Sequence, residues 1–257
     1  MTDRAGETAK DRRVLEITGT DREAFLQGLV TNDVGRLKQG LTYAALLSPQ
    51  GKYLADFFLV PYGDRILLDV QADLADGLLR RLMMYRLRAD VAIAATDIAV
   101  VRGLGPAPDG AFADPRHEAL GWRCYGDETG AEPKIDWDAI RVAHCIPETG
   151  MELVPDDTYI LEAGFERLNG VDFRKGCYVG QEVTARMKHK TELRKRFLTV
   201  RIDGSAAAGT DITLRDGRPI GTVFTRSGDR AIAYLRLDRA EGPLAAGPAT
   251  ITLLQQE

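Results

Sequence analysis

Cysteine is scarce. Cys124, Cys145 and Cys177 are the only three in 257 residues. They are too few and too widely separated for a disulfide framework or a self-contained four-cysteine metal site, so free thiols are expected. Histidine is equally thin: His117, His144 and His189 stand apart from one another and read as ordinary histidines, not metal ligands. No apolar run approaches the length that crosses a bilayer, so no membrane partner is expected. The opening Met1-Thr2-Asp3-Arg4 runs into charge without the apolar core of a signal peptide, and a cytoplasmic location is expected from it. A large excess of one charge sign is also missing. With a net charge of −4, the surface as a whole does not attract nucleic acid, which leaves only a local basic patch for that purpose.

Hydrophobic residues make up 44% and charged residues 28%, the balance of a soluble globular chain long enough for two or three compact units. The first segment reads as α+β. A strand near Val14–Thr18 precedes a helix whose start, Thr20-Asp21-Arg22-Glu23, has the form of a capping box, followed by Phe25, Leu26, Leu29 and Val30 at helical spacing. Three strand-like runs come next, Thr42–Leu47, Tyr53–Pro61 and Arg65–Val70, separated by turn sequences, which predicts an antiparallel meander. A helix is expected over Asp73–Leu87, with arginines crowding its C-terminal half as a solvated face. Val91–Ile93 and Leu120–Tyr125 read as strands, Gly103–Gly110 as a turn-rich connection, and Asp136 as the cap of a short helix to Ala143. From Phe197 onward short strands alternate with glycine-bearing turns, at Phe197–Ile202, Asp211–Leu214, Pro219–Thr225, Arg230–Leu237 and Ala249–Leu254. That spacing predicts a small closed or sandwich-like β domain. The boundaries drawn from these changes are 1–95 for an N-terminal α+β domain, 96–194 for a reduced middle α+β domain and 195–257 for the β domain.

The most informative stretch is Val171–Arg186. Within it Gly176 and Gly180 bracket Cys177 and Tyr178, and Arg174 and Lys175 precede them. Glycine permits a sharp turn and close backbone approach, and neighbouring cations favour thiolate over thiol, which makes a better nucleophile or soft-metal ligand. The residues alone leave this open against a buried, inert cysteine. Gln181 and Glu182 fit either hydrogen bonding to a ligand or capping of the loop. Trp137 reads from the residues alone as a core tryptophan first.

The run Lys175–Glu182 resembles the signature KGCYxGQE of the YgfZ family, relatives of the glycine-cleavage aminomethyltransferase GcvT, at every specified position. Phe25–Gly28 with Thr31–Val34 resembles that family's N-terminal helix and turn. Pro49–Lys52 with Ala55-Asp56 resembles its hairpin, and Ile220–Val223 with Ala231–Leu235 resembles strands of its C-terminal barrel. The resemblance implies an α+β, GcvT-like ring of three domains, built of antiparallel-sheet α+β units plus a C-terminal small β-barrel. It further implies tetrahydrofolate or a derivative bound in a central opening, and support for iron–sulfur cluster assembly or repair, in some members alongside tRNA modification. Carried onto this chain, it implies Cys177 as the reactive thiol or transient cluster ligand and Asp56 as a surviving acid. Ligand contacts would come from Trp137, Asn32, Lys175, Gly176, Tyr178, Gly180, Gln181, Glu182 and Arg186. The implied partners are folate and cluster assembly proteins or client enzymes, with no direct nucleic-acid partner.

Two departures stand out. GcvT-like transferases carry paired aspartates where this chain has Ala55-Asp56, and a carboxylate that reads the pterin is missing from Arg141-Val142-Ala143-His144-Cys145. An accessory factor without turnover of its own is therefore expected ahead of a folate-dependent aminomethyl or methyl transferase or demethylase. A tRNA-modification accessory role through the basic run Arg186–Arg196 ranks third, because a solvated loop explains that run as well.

Overall fold

The computed structural model describes residues 6–189 and 193–254. In chain order the elements are β1 (Glu7–Thr8), β2 (Arg12–Thr18), α1 (Arg22–Gln27), β3 (Thr42–Leu47), β4 (Tyr53–Tyr62), β5 (Arg65–Gln71), α2 (Ala72–Arg86), β6 (Ala92–Ala95), β7 (Ala99–Gly103), β8 (Phe112–Ala113) and β9 (Trp122–Gly126). They continue with α3 (Trp137–His144), α4 (Gln181–His189), β10 (Lys195–Asp203), β11 (Asp211–Leu214), β12 (Pro219–Ser227), β13 (Arg230–Arg236), β14 (Leu244–Ala246) and β15 (Ala249–Leu253). The chain forms two compact units. The first runs to Ile135 and takes in Phe165–Val183; the second holds Asp136–Gly164 and the chain from Thr184. Among the described residues no helix is long and apolar enough to cross a membrane.

In the first unit the expected meander is present: β3, β4 and β5 pair antiparallel, and β2 and β6 extend the sheet to the order β3-β4-β5-β2-β6. Strand alternation sends Leu15, Ile17, Ala44, Leu46, Phe57, Leu59, Leu68 and Val70 to one face. There they pack with Phe25 and Leu26 of α1 and with Ala75, Leu78 and Leu82 of α2. Burying a side chain of this size contributes about 1.5–3 kcal/mol, so this layer dominates the unit's stability.

The capping box forecast for α1 does not form. Asp21 takes the N-cap position without a side-chain cap bond, and Thr20 instead donates its Oγ1–H to Asp90 Oδ2 at 2.8 Å. Asp90 N–H in turn donates to Asp21 Oδ2 at 2.8 Å. A tertiary exchange with the segment after α2 has replaced the local one.

The opposite face of the sheet is also buried and mixes apolar side chains such as Phe58, Val60 and Leu67 with the carboxylates of Asp56 and Asp69. It meets a second sheet of order β1-β7-β9-β8 through a charge network. Asp69 accepts from Arg12 Nε at 2.7 Å, from an Arg123 guanidinium nitrogen at 3.0 Å and from Tyr125 O–H at 2.8 Å. Asp114 accepts from Arg116 at 2.8 and 3.0 Å and from Arg123 Nε at 3.1 Å. Two guanidinium groups lie against the Phe58 ring, Arg123 at 4.1 Å and Arg116 at 4.8 Å from its centroid. Burial raises the Asp114 pKa, but the Arg116 and Arg123 charges outweigh it and hold the carboxyl at about 2.

The second unit contains a closed six-stranded barrel, β10-β13-β12-β11-β14-β15, filled by Leu198, Val200, Ile212, Val223, Ala233, Leu235 and Ile251. Helix α3 begins where the sequence predicts, with Asp136 Oδ1 accepting from Ala139 N–H at 2.9 Å. Beside it the buried Arg141 pairs with Glu152 at 3.0 Å, Glu148 at 3.1 Å and Asp138 at 2.8 Å.

Candidate functional site

The signature segment is held in place from both sides by residues distant in sequence. Upstream, Thr31 Oγ1–H donates to Gly170 O at 2.7 Å and Asp172 N–H donates to Thr31 O at 3.1 Å. Arg36 closes on Asp172 at 2.9 Å. Asn32 commits both amide hydrogens to backbone, at Tyr43 O (2.8 Å) and Asn169 O (2.7 Å). Lys175 then turns inward, its Nζ donating to Gln27 O at 2.7 Å and Val30 O at 2.5 Å. These carbonyls lie at and beyond the C-terminal end of α1, where helix carbonyls lack intrahelical partners and a cation is favoured. Burial lowers the Lys175 pKa to about 8, against the opposing pull of Asp33 and Asp172. This ammonium anchors the loop, whereas its sequence position beside Cys177 had suggested a group that polarises the thiol.

Downstream, the anchor is a pair of glycines. Gly51, in the β3–β4 turn, has φ +75°, and Gly180 has φ +83°. A Cβ on Gly180 would stand 2.6 Å from Ser48 O and 2.9 Å from Leu47 Cβ. One on Gly51 would stand 2.7 Å from Val183 Cβ and 3.2 Å from Gly180 O. The hairpin turn and the loop interlock where only bare backbone fits. Gly176 differs: it is not in the left-handed region, and a Cβ there would meet nothing within 4 Å. Gly180→Ala is therefore expected to lower stability by about 2–4 kcal/mol through strain and overpacking, while Gly176→Ala stays within about 0.5 kcal/mol. Urea unfolding midpoints of the two variants check this contrast.

Between the two anchors Cys177 is exposed, whereas Cys124 is half-buried and Cys145 buried. Tyr178 beside it is buried, with the Lys175 ammonium 5.1 Å from its ring centroid. Gln181 and the exposed Glu182 open α4, and Arg186 is exposed further along it. That helix was missed by the sequence reading, which took Arg186–Arg196 as a loop; Lys190 of that run lies outside the described residues. Among the described residues no three His, Cys, Asp or Glu side chains gather closely enough to hold a metal ion.

Asp56 belongs to the same unit but is sealed. It is 4% exposed and accepts O–H from Tyr53 at 2.7 Å and Tyr43 at 2.9 Å. Burial and Asp56 together push the Tyr43 pKa well above the tyrosine range, so that phenol stays a donor. The sequence reading overlooked both tyrosines. The available signal was a lone aspartate in the otherwise uncharged run Tyr53–Tyr62, which on burial demands donors from its neighbours. Trp137 lies in the other unit, half-buried at the start of α3, and Ala143 on the same helix is exposed. The residues present thus fit a reactive folate poorly: the one candidate acid is enclosed, Asn32 has no amide hydrogen left to give, and position 143 offers no carboxylate.

Residues 194–257 match the family described as "CAF17, C-terminal beta-barrel domain". The chain is 34% identical over 221 residues to a protein of Pyricularia oryzae named "Iron-sulfur cluster assembly factor IBA57 homolog, mitochondrial", a match covering 76% of this chain and 57% of that protein. It is 28% identical over 278 residues to "Iron-sulfur cluster assembly factor IBA57, mitochondrial" of Homo sapiens, covering 91% of this chain and 78% of the relative. The chain thus spans little more than half the length of the fungal relative, and most of the human one. These relatives carry the name IBA57 where the signature had suggested YgfZ, and neither is named for tRNA modification.

The expected cytoplasmic location is corrected by the same names, which are mitochondrial. The apolar content of the opening residues is silent about organelle addresses, which are amphipathic and arginine-rich. The crystal structure of glycine cleavage system aminomethyltransferase T from Bartonella henselae superposes with a TM-score of 0.76 at 16% identity, covering 97% of this chain and 85% of that one. The chain therefore has the α+β aminomethyltransferase-like fold of GcvT, completed by a closed six-stranded C-terminal barrel.

Proposed function

We propose that the chain is an accessory factor of iron–sulfur cluster assembly in which Cys177 is a transient thiolate ligand to a cluster in transit, or a thiol-exchange partner. The observation that carries this reading is the exposed Cys177 on a segment pinned by Lys175 on one side and Gly180 on the other. Such a thiol is accessible yet fixed in position. One cysteine cannot complete a four-ligand cluster site, so the remaining ligands come from an assembly protein, a client enzyme or small thiols. The names of the relatives support the same class of work. Complementation of a strain that lacks its own factor is the test: this chain restores its cluster-dependent enzymes, and an unchanged deficit would overturn the proposal.

The resemblance of the signature adds tetrahydrofolate as a ligand. Enclosure of Asp56 by Tyr43 and Tyr53 disfavours a transferase, because a carboxylate already accepting two phenols is not presented to a substrate. Micromolar tetrahydrofolate binding in a calorimetric titration would keep folate as a ligand, and incubation with methylamine donors is expected to give no one-carbon transfer. Turnover that disappears in Asp56→Asn would replace this reading with the transferase, and calorimetric silence would leave the thiol alone.

A further inference from the structure

Helix α2 buries one side, and the other side is not the polar one that a surface helix ordinarily turns to water. Ala75, Leu78 and Leu82 lie in the core, with Leu74, Leu79 and Tyr85 packed partly against it. On the far side Arg80, Met83, Met84 and Leu87 recur at the i, i+3, i+4, i+7 spacing of a helical stripe, the last of them just past the helix end. Met83 is 41% exposed, Met84 68% and Leu87 86%. A single exposed apolar side chain is ordinary, but three on one stripe form a patch.

Leu87 is unusual in a second, independent way. It ends α2 with φ +47° and ψ −107°, a backbone conformation that glycine reaches freely and leucine only with strain. Burial does not offset that strain, because the side chain stands almost wholly in water. Strain with no return inside the fold points to a contact made outside it.

Four arginines flank the patch, Arg80, Arg81, Arg86 and Arg88. Among the described residues none of them pairs with a carboxylate. The acids closest to them in sequence are engaged elsewhere: Asp76 pairs with Arg13 at 2.7 Å, and Asp90 accepts from Thr20. On a chain of net charge −4 this is a local excess of positive charge around an apolar centre, and its counter-charge has to come from a partner. The residue types select the class of partner. Protein interfaces are enriched in Met and Arg and depleted of Lys, and methionine adapts to varied apolar surfaces. Membrane-surface helices draw on a longer apolar face with Trp or Phe, and single-stranded nucleic acid on exposed rings for stacking. The stripe holds no lysine, and Tyr85, its one neighbouring ring, packs against the core.

We infer that the C-terminal end of α2 is a docking surface for a protein whose own contact surface is apolar at the centre and rich in carboxylates at the rim. Met83, Met84 and Leu87 meet the apolar part, and Arg80, Arg81, Arg86 and Arg88 meet the carboxylates. The surface does not depend on the chemistry at Cys177.

A photoreactive benzophenone amino acid at Met84 of the full chain, in cells of the organism that encodes it, tests the assignment. Irradiation is expected to join the chain to one partner protein, through a peptide that mass spectrometry shows to be rich in Asp and Glu. Arg80→Glu combined with Arg88→Glu is expected to lower the adduct yield about tenfold by setting like charges against each other. Both positions are exposed, so this double variant keeps the fold. Leu87→Gly is expected to lower the yield about tenfold through loss of an apolar anchor. Its urea midpoint is expected to equal or exceed that of the parent chain, because glycine relieves the strain. A lower midpoint would make Leu87 a structural residue and overturn its role in docking. The assignment is equally overturned by absence of a protein adduct, by an adduct with lipid, nucleic acid or a second copy of this chain, by a crosslinked peptide without carboxylates, or by a yield undiminished in either variant.

Discussion

Replacing Cys177 with alanine is expected to abolish support of cluster-dependent enzymes while leaving the fold intact. The side chain is exposed, and the bonds that hold its segment come from Lys175, Asp172 and the Gly51–Gly180 contact, none of which uses the thiol. A substitution at such a surface position changes stability by no more than about 0.5 kcal/mol, so the urea midpoint should be that of the parent chain. The functional loss, read as growth or client-enzyme activity in the complemented strain, should reach the level of the empty vector. Cys177→Ser should fail equally, since a hydroxyl keeps the shape but is a poor ligand for soft metal. Limited alkylation provides an independent measure: Cys177 should react ahead of the half-buried Cys124 and the buried Cys145. Full complementation by a folded Cys177→Ala chain would remove the thiol from the mechanism.

How much of this was legible beforehand depended on the reach of each interaction. Strands bounded by turn sequences were readable: Thr42–Leu47 and Asp211–Leu214 occur with the bounds expected, and Asp136 caps α3. β1 and β8 are two residues each, too short to carry a period, and β7 hides in Ala99–Gly103 beside a glycine-rich stretch. The capping box failed because Thr20 finds its partner 70 positions away at Asp90. The same holds at the site. Cys177 could be singled out from its neighbours, but the direction of Lys175 is set by carbonyls 148 and 145 positions upstream, which no local pattern encodes. The motifs that resembled a known family turn out to be the docking residues themselves: Thr31, Asn32 and Gly51 hold the segment that Cys177 occupies.

Asp114→Asn carries the largest expected cost to stability. The carboxylate serves Arg116 and Arg123 together, with side-chain exposures of 2% for Asp114, 8% for Arg116 and 3% for Arg123. Removing its charge takes away the carboxylate that pairs with Arg116 and leaves Arg123 to share Asp69 with Arg12. Breaking a buried pair in this way costs about 3–5 kcal/mol. The pH dependence follows from the same charge. The folded-state pKa of about 2 lies below the ordinary 3.8, so the stabilisation is complete above pH ~4 and is lost as pH falls toward 2. Urea midpoints measured across that range should fall steeply for the parent chain, and Asp114→Asn should lack this component of the fall. A variant as stable as the parent at neutral pH would mean that the network is not under the electrostatic load described.

The closed barrel has a consequence for association. Every strand from β10 to β15 pairs with a neighbour on each side, so among the described residues the barrel has no edge strand to which another polypeptide could add. Whatever docks on this part of the molecule must do so through side chains and loops, which makes recognition there a matter of surface chemistry and guards it against self-templated aggregation.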